Sequence, residues 1–116
     1  MSARPSKIPT IFYKTPAGAQ VVKDWLRTLD WADRNAIGQD LMRVQYRWPV
    51  GMPLCRPLGQ GLWEVRTSLP SRRIARIIFS VQDGRIVVLH GFVKKSQKMP
   101  TEDIRLARRR SRELEG

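Results

Sequence analysis

Apolar and polar residues alternate along three stretches in the second half of the chain, and this two-residue period predicts β-strands. The three stretches are residues 62–68, 72–81 and 85–93. The dipeptide Asp83-Gly84 separates the last two stretches and is typical of a tight hairpin turn. Residues 8–13 are β-branched and aromatic, and they predict one further strand near the N-terminus.

Apolar residues recur every three or four positions after the first strand, which predicts two helices. Thr15 is a predicted N-cap followed by Pro16 at the first helical position, and this helix ends near Thr28. Asp30 is expected to cap the second helix, and Pro49 ends it. The apolar positions are Val21, Val22, Trp25, Leu26, Leu29, Ile37, Leu41, Val44 and Trp48. Two amphipathic helices so close in sequence are expected to form an antiparallel hairpin.

The remaining segments complete the predicted fold. Residues 50–61 are rich in proline and glycine and are predicted to form a loop. Thr101 is the predicted N-cap of a basic C-terminal helix, which Ile104, Ala107 and Leu114 are expected to anchor. The element order is then β-α-α-β-β-β-α, an α+β fold in which a largely antiparallel sheet packs on the helical hairpin. We expect a single domain over residues 1–116, loosely ordered at residues 1–7.

The charge of the chain favours a polyanionic partner. The 22 lysines and arginines outnumber the 10 acidic residues, which gives a formal net charge of +12. Such an excess favours nucleic acid or an acidic protein, although a basic protein without such a partner is the simpler alternative. The sequence shows neither a run of about 18 apolar residues nor a hydrophobic signal core, so we expect a cytoplasmic protein without a membrane span.

Metal and disulfide chemistry have few possible ligands. The chain has one cysteine, Cys55, and one histidine, His90, which excludes an intrachain disulfide and zinc sites rich in cysteine or histidine. Cys55 is predicted to be a passive loop or core residue. We therefore expect neither a metal nor another cofactor.

The strands place charged residues opposite their apolar rows. The residues expected to face the helical hairpin are Trp63, Val65, Ala75, Ile77 and Phe79. Glu64, Arg66 and Arg76 then share the other face of the sheet. The two rows of the last strand are almost equally apolar, and we expect Val87 and Leu89 to face the core.

The opposite face combines groups that suit phosphodiester chemistry. His90 can join the carboxylate and the two arginines there, and a lysine-rich stretch follows the last strand. Its lysines are Lys94, Lys95 and Lys98. Arginines bind phosphate oxygens, and a lysine crowded by other cations has a lowered pKa and can exchange protons near neutral pH. In RNA the 2′-hydroxyl is the internal nucleophile. The structural alternative is a cross-strand charge pair of Glu64 and Arg66 with Arg76 as its neighbour.

Three sequence blocks resemble the phage-derived, HigB-like branch of the RelE/ParE toxin superfamily. They are Gly-Met-Pro at 51–53, Pro-Leu-Gly-Gln-Gly-Leu-Trp-Glu-Val-Arg at 57–66 and Leu-His-Gly-Phe-Val-Lys-Lys-Ser-Gln-Lys-Met-Pro at 89–100. The resemblance extends from about residue 8 to about residue 110. It implies a small RelE-like α+β toxin of a type II toxin–antitoxin pair, with a helix-turn-helix antitoxin of the HigA type as partner.

The resemblance also implies an activity. Relatives are mostly mRNA interferases that cut mRNA in the A site of the 70S ribosome and leave a 2′,3′-cyclic phosphate. ParE-type members instead inhibit gyrase without RNase activity, and a degenerate member could retain only antitoxin binding. We therefore expect a metal-independent endoribonuclease, with the gyrase inhibitor and the antitoxin-binding relic as alternatives.

Site residues follow from the same resemblance. Arg66 matches a basic position on the second strand of RelE-like toxins, and Arg76 matches the third-strand arginine that grips the scissile phosphate. Lys94 and Lys95 fall where relatives carry basic residues after the fourth strand. Glu64 stands where RelE carries a lysine, and the last segment lacks the tyrosine of RelE.

The proton-transfer assignment of RelE therefore does not carry over. Glu64 or a lysine of lowered pKa is expected to be the general base, and His90 or Lys95 the general acid. The residues predicted to bind RNA are Arg72, Arg73, Lys98, Arg105, Arg108, Arg109 and Arg112.

Overall fold

Five strands and three helices form a mixed α+β fold in the computed structural model, which describes residues 7–94 and 101–115. The elements are β1 (Thr10–Phe12), α1 (Val21–Arg27), α2 (Trp31–Arg47), β2 (Cys55–Gly59), β3 (Leu62–Ser68), β4 (Ile74–Gln82), β5 (Arg85–Val93) and α3 (Thr101–Glu115). The α+β class is confirmed. The expectation for residues 1–6 and the predicted sites Lys95 and Lys98 lie outside the described residues.

The sheet has the strand order β1-β5-β4-β3-β2. β1 runs parallel to β5, and the other neighbouring strands pair antiparallel. The predicted largely antiparallel sheet is therefore confirmed, and the architecture is compatible with the RelE-like fold.

The helical hairpin covers one face of this sheet as predicted. Val22 of α1 and Ile37 and Val44 of α2 are buried against Ile77 and Phe79 of β4. The ring of Trp48 contacts Phe79 edge-on, with ring centroids 5.5 Å apart. This apolar layer is the main core of the protein.

The prediction that Val87 and Leu89 face this core is wrong. Ile78 pairs with His90, whereas the next residue of β4, Phe79, pairs with Val88, so β5 carries a β-bulge at Leu89. Val88 packs with the hairpin core, whereas Val87 and Leu89 pack on the opposite face with α3. Residues 86–89 do alternate, but both rows are apolar, so alternation alone is compatible with either row facing the hairpin. The bulge then places His90 on the same face as Leu89, which alternation could not predict.

The prediction of a loop over residues 50–61 is also wrong, because it contains the edge strand β2. Cys55 pairs with Val65, and Arg56 pairs with Glu64. Pro57 lies in the strand, and an edge strand tolerates proline where its missing amide hydrogen is not needed for pairing. Burial, together with the nearby carboxylate of Asp40, raises the pKa of the Cys55 thiol to about 11, so the thiol is protonated at neutral pH.

The first helix begins six residues later than the predicted cap. Thr15 instead closes a turn, in which its Oγ1 accepts a hydrogen bond from the Ala19 amide at 3.0 Å. Gly18 occupies this turn with φ of +90°, a conformation that glycine adopts without a steric cost. The predicted N-cap at Thr15 is therefore wrong, because this residue stabilises a turn that precedes the helix.

The C-terminal helix packs across the second face of the sheet. Ile104 and Ala107 anchor it as predicted, whereas Leu114 is 43% exposed. Near its C-terminal end, the Tyr13 hydroxyl donates a hydrogen bond to Glu113, and Arg110 donates one to the Leu89 carbonyl at 2.8 Å. None of the helices in the described part of the chain is long and apolar enough to cross a membrane.

Candidate functional site

The strand register places the predicted site residues in neighbouring rows on the face that α3 packs against. One row crosses β2, β3, β4 and β5 and consists of Arg56, Glu64, Ile78 and His90. The next row consists of Arg66, Arg76 and Phe92. Glu64, Arg66 and Arg76 therefore share one face, as the alternation in β3 and β4 predicts, and the bulge in β5 brings His90 to the same face.

Glu64 and Arg76 form a buried ion pair at the centre of these rows. Glu64 Oε2 lies 3.4 Å from an Nη1 nitrogen of Arg76, and the two side chains are 1% and 7% exposed. Within residues 7–94 and 101–115, neither carboxylate oxygen of Glu64 has a hydrogen-bond partner, and neither does Arg76 Nε. Most buried polar atoms in proteins are hydrogen-bonded, so this pair retains capacity to bind a polar group. The pair also shows that Glu64 is bound by Arg76, whereas the structural alternative paired it with Arg66.

Arg66 lies directly across from Arg76 in the β3–β4 register, but its side chain is exposed. Like charges in directly opposed positions repel each other, and a bound anion would relieve that repulsion. Arg66 also lines a surface cleft of about 330 Å³ together with Ser68 and Ile74. The exposed guanidinium is thus the accessible part of this arginine pair.

Lys94 extends the cationic cluster at the end of β5. Its amide donates a hydrogen bond to the Ile74 carbonyl at 2.7 Å, so the residue continues the β4–β5 ladder. Desolvation lowers the pKa of the Lys94 ammonium, and the positive charges of Arg76 and Arg66 lower it further. A lowered pKa increases the fraction of neutral amine, which can accept a proton.

His90 is positioned by two neighbours. Its Nε2 lies 2.7 Å from Asp103 Oδ1 in the first turn of α3, and its ring stacks on Phe92 with centroids 5.5 Å apart. Sequence analysis missed the contact with Asp103. Thirteen residues separate the two in the sequence, so no local spacing pattern could reveal the contact.

The basic residues of α3 are divided between solvent and a groove. Arg105, Arg109 and Arg112 are exposed. Arg105 is paired with Glu102 at 2.8 Å. Half-buried Arg108 lines, together with Arg105 and Arg56, a groove of about 360 Å³ between β2 and α3. This groove adjoins the row that contains Glu64.

The two remaining predicted RNA-binding residues lie at the turn between β3 and β4. Arg72 is exposed and has φ of +67°. Arg73 forms an ion pair with Asp33 of α2, in which its Nη2 lies 3.2 Å from Asp33 Oδ2. Asp33 also accepts hydrogen bonds from the Ser71 amide and hydroxyl at 3.2 and 2.7 Å. Arg73 therefore has a structural role that sequence analysis missed.

The described residues contain no group of three or more histidine, cysteine, aspartate or glutamate side chains that could hold a metal ion. The chemistry available to the candidate site from those residues is that of guanidinium, ammonium, imidazole and carboxylate groups. Such a set binds an anion and moves protons.

The fold and the site thus define the class of this protein, a compact α+β protein with a cationic sheet face. Comparison with protein-family models matches residues 24–112 to the family described as phage-derived protein Gp49-like (DUF891). The match covers more than three quarters of the chain, so the chain belongs to this family, which is associated with toxin–antitoxin systems. Comparison with curated proteins finds no match.

Proposed function

We propose that this protein is the toxin of a type II toxin–antitoxin pair and an endoribonuclease of the RelE/HigB type that cuts mRNA on the ribosome. A HigA-like helix-turn-helix protein would be its antitoxin. The proposal rests mainly on one observation: Arg66, Arg76, Glu64 and Lys94 lie together on the face of the sheet that the resemblance assigns to the scissile phosphate. Membership in a family associated with toxin–antitoxin systems supports the biological context.

The proposed reaction is an in-line attack of the RNA 2′-hydroxyl oxygen on the adjacent phosphorus. The P–O2′ bond forms, the P–O5′ bond breaks, and the products carry a 2′,3′-cyclic phosphate and a 5′-hydroxyl. Exposed Arg66 binds the phosphate first, and Arg76 stabilises the charge that develops on its oxygens. Glu64 holds Arg76 in place from within the sheet.

Lys94 is the best-placed general base among the described residues. Its lowered pKa makes a neutral amine accessible, whereas Glu64 is 1% exposed and occupied by Arg76. His90, positioned by Asp103, would protonate the leaving 5′-oxygen. Each of these proton transfers typically raises the reaction rate by a factor of roughly 100 to 10,000. The arginines of α3 would hold the RNA backbone of the ribosome by phosphate contacts, which predicts a strong salt dependence.

Arg66→Ala is the sharpest test, because this side chain is exposed and its loss leaves the core intact. We expect the variant to keep the fold and to abolish growth arrest and mRNA cleavage. The measurement is primer extension on cellular mRNAs after induction, with circular dichroism as the check on folding. Arg76→Ala should also abolish cleavage, but burial of Arg76 makes its loss harder to separate from instability.

Arg85→Ala is the matched control for this experiment. Arg85 is another exposed arginine in a strand, and it pairs with Gln82 of β4. Gln82 lies six residues after Arg76 in that strand, so Arg85 is about 20 Å from Arg76. Cleavage by the control and none by Arg66→Ala supports the proposal. Intact mRNA with growth arrest by the unmodified protein contradicts it and indicates gyrase inhibition, which DNA breakage would test. Intact mRNA with normal growth leaves an antitoxin-binding relic.

Lys94 supplies a second, pH-dependent test. A general base must be deprotonated, so the cleavage rate should rise with pH until the lowered lysine pKa is passed. Lys94→Gln should lose roughly 100- to 10,000-fold in rate together with that rise. Single-turnover rates on purified ribosomes between pH 6 and about 10 measure both effects. An unchanged pH profile in the variant would assign the base to another group.

A further inference from the structure

The outer edge of β1 is an open sheet edge. β1 lies at one end of the strand order, so no strand of the described part of the chain pairs with its outer side. On its inner side, the Ile86 amide donates to the Pro9 carbonyl and the Tyr13 amide donates to the Val88 carbonyl, both at 2.9 Å. Because residues alternate in a parallel ladder, the backbone amide and carbonyl groups of Thr10 and Phe12 point outward. These groups can pair with an added strand.

A groove of about 490 Å³ runs along this edge and brings together the two faces of the sheet. On the α3 side it is apolar, because Ile11 and Leu114, which are 37% and 43% exposed, both line it. On the α1 side it is cationic, because Lys23 of α1 lines it with its ammonium 5.3 Å from the centroid of the Phe12 ring. Lys14, two residues after Phe12, also lines the groove, and alternation places it on the same side. Among the described residues that line it, none is acidic. The groove therefore presents a different chemistry on each side of the same open strand.

We propose that this edge binds an extended segment of a partner protein in which acidic and apolar residues alternate. An added strand directs successive side chains to opposite faces of the sheet, so one set would contact Ile11 and Leu114 and the other Lys14 and Lys23. A helix could not pair with the outward amides of Thr10 and Phe12. The inference does not depend on the proposed nuclease activity, because β1 is on the far side of β5 from the arginines of β3 and β4.

A second copy of the chain does not fit the same edge. Two copies would bring Lys14 and Lys23 of one against those of the other, and each chain carries a net charge of +12. Open sheet edges with an apolar border normally invite self-association, and like-charge repulsion opposes it here. The charge of the groove thus selects an acidic partner.

The test uses the full chain and a labelled, end-blocked peptide of seven residues in which Glu and Val alternate. We expect saturable binding by fluorescence anisotropy, weaker by about tenfold or more for a peptide with the same residues arranged in two blocks. The double variant Lys14→Glu/Lys23→Glu should lose the Glu–Val peptide and gain affinity for a Lys–Val peptide of the same alternation. The control variant Arg34→Glu/Arg47→Glu makes the same change of charge on α2. It should still prefer the Glu–Val peptide to the Lys–Val peptide.

A backbone variant separates strand pairing from charge attraction. Thr10→Pro removes one outward amide hydrogen without touching the inner ladder, and edge strands tolerate such a proline. It should weaken peptide binding severalfold or more, whereas Thr10→Val, which keeps the amide, should not. Equal binding of the alternating and block peptides, no saturable binding, or no effect of Thr10→Pro would each overturn the proposal. A dimer in sedimentation that Ile11→Glu dissociates would overturn it as well, because it would assign the edge to a second copy.

Discussion

The two faces of the sheet differ in what they bury. The face against α1 and α2 is an apolar layer around Ile77 and Phe79. The face against α3 is apolar only in part, where Ile78 and Leu89 pack with Ala107, and elsewhere it buries the Glu64–Arg76 pair and carries exposed Arg66. Apolar burial stabilises a fold, whereas a buried ion pair contributes little net stability. The comparison shows that one face contributes most of the apolar burial, whereas the other carries the charged groups of the proposed site.

Truncation in the apolar layer should have the largest effect on stability. Phe79 is fully buried and packs against Trp48, so Phe79→Ala should lower the free energy of unfolding by about 3–5 kcal/mol. Phe92→Ala is the comparison on the charged face, where the ring is half-buried, and it should cost clearly less. Urea unfolding of both variants measures the difference. Equal losses would mean that the two faces contribute equally to stability.

Breaking the Glu64–Arg76 ion pair should cost less stability than the Phe79 truncation, and replacing both partners should recover most of that stability. Glu64→Ala leaves Arg76 buried without its carboxylate partner and should cost about 3 kcal/mol. Glu64→Leu/Arg76→Leu replaces both charges by apolar groups and should recover most of that stability while remaining inactive in the cleavage assay. Unfolding of the single and double variants provides the measurement. A double variant less stable than Glu64→Ala would show that the pair is needed for folding.

Replacing each of two glycines by alanine should change the stability of the protein in opposite directions. A Cβ at Gly91 would lie 2.5 Å from a ring carbon of Trp25 and 2.9 Å from Ile77 Cδ1, so Gly91→Ala should cost about 1–3 kcal/mol. A Cβ at Gly38 in α2 meets no atom within 4 Å, and Gly38→Ala should add roughly 0.5–1 kcal/mol through helix propensity. Thermal unfolding of the two variants measures both changes in stability. A neutral Gly91→Ala would show that α1 can shift away from β5.

Asp33 predicts the smallest effect on stability, one that is present at neutral pH and disappears in acid. Hydrogen bonds from Ser71 lower the pKa of its carboxyl, and the nearby Arg73 guanidinium lowers it further. The stabilisation is therefore present above the unfolded-state pKa of roughly 3.9 and is lost as pH falls through the lower folded-state pKa. Asp33→Asn should lose less stability than the unmodified chain between pH 7 and that acid range. Melting temperatures across the range measure this, and identical slopes would contradict it.

The charged face was largely predictable because it depends on short-range rules. Alternation in β3 and β4 placed Glu64, Arg66 and Arg76 on one side of the sheet before any tertiary contact was known. The same rule failed in β5, where the bulge at Leu89 shifts the period. It also failed for β2, because the propensities of Pro57 and Gly59 oppose a strand and only pairing with β3 stabilises one there.

The sequence by itself determined the α+β class, the apolar side of the hairpin and the excess of positive charge, since these depend on composition and periodicity. Only the tertiary structure decided which charges meet. Glu64 pairs with Arg76 across two strands, Asp103 reaches His90 from another element, and Asp33 binds Arg73 forty residues away. Such contacts depend on register and on the docking of α3. No local pattern encodes them, because residues distant in sequence become neighbours only when the chain folds.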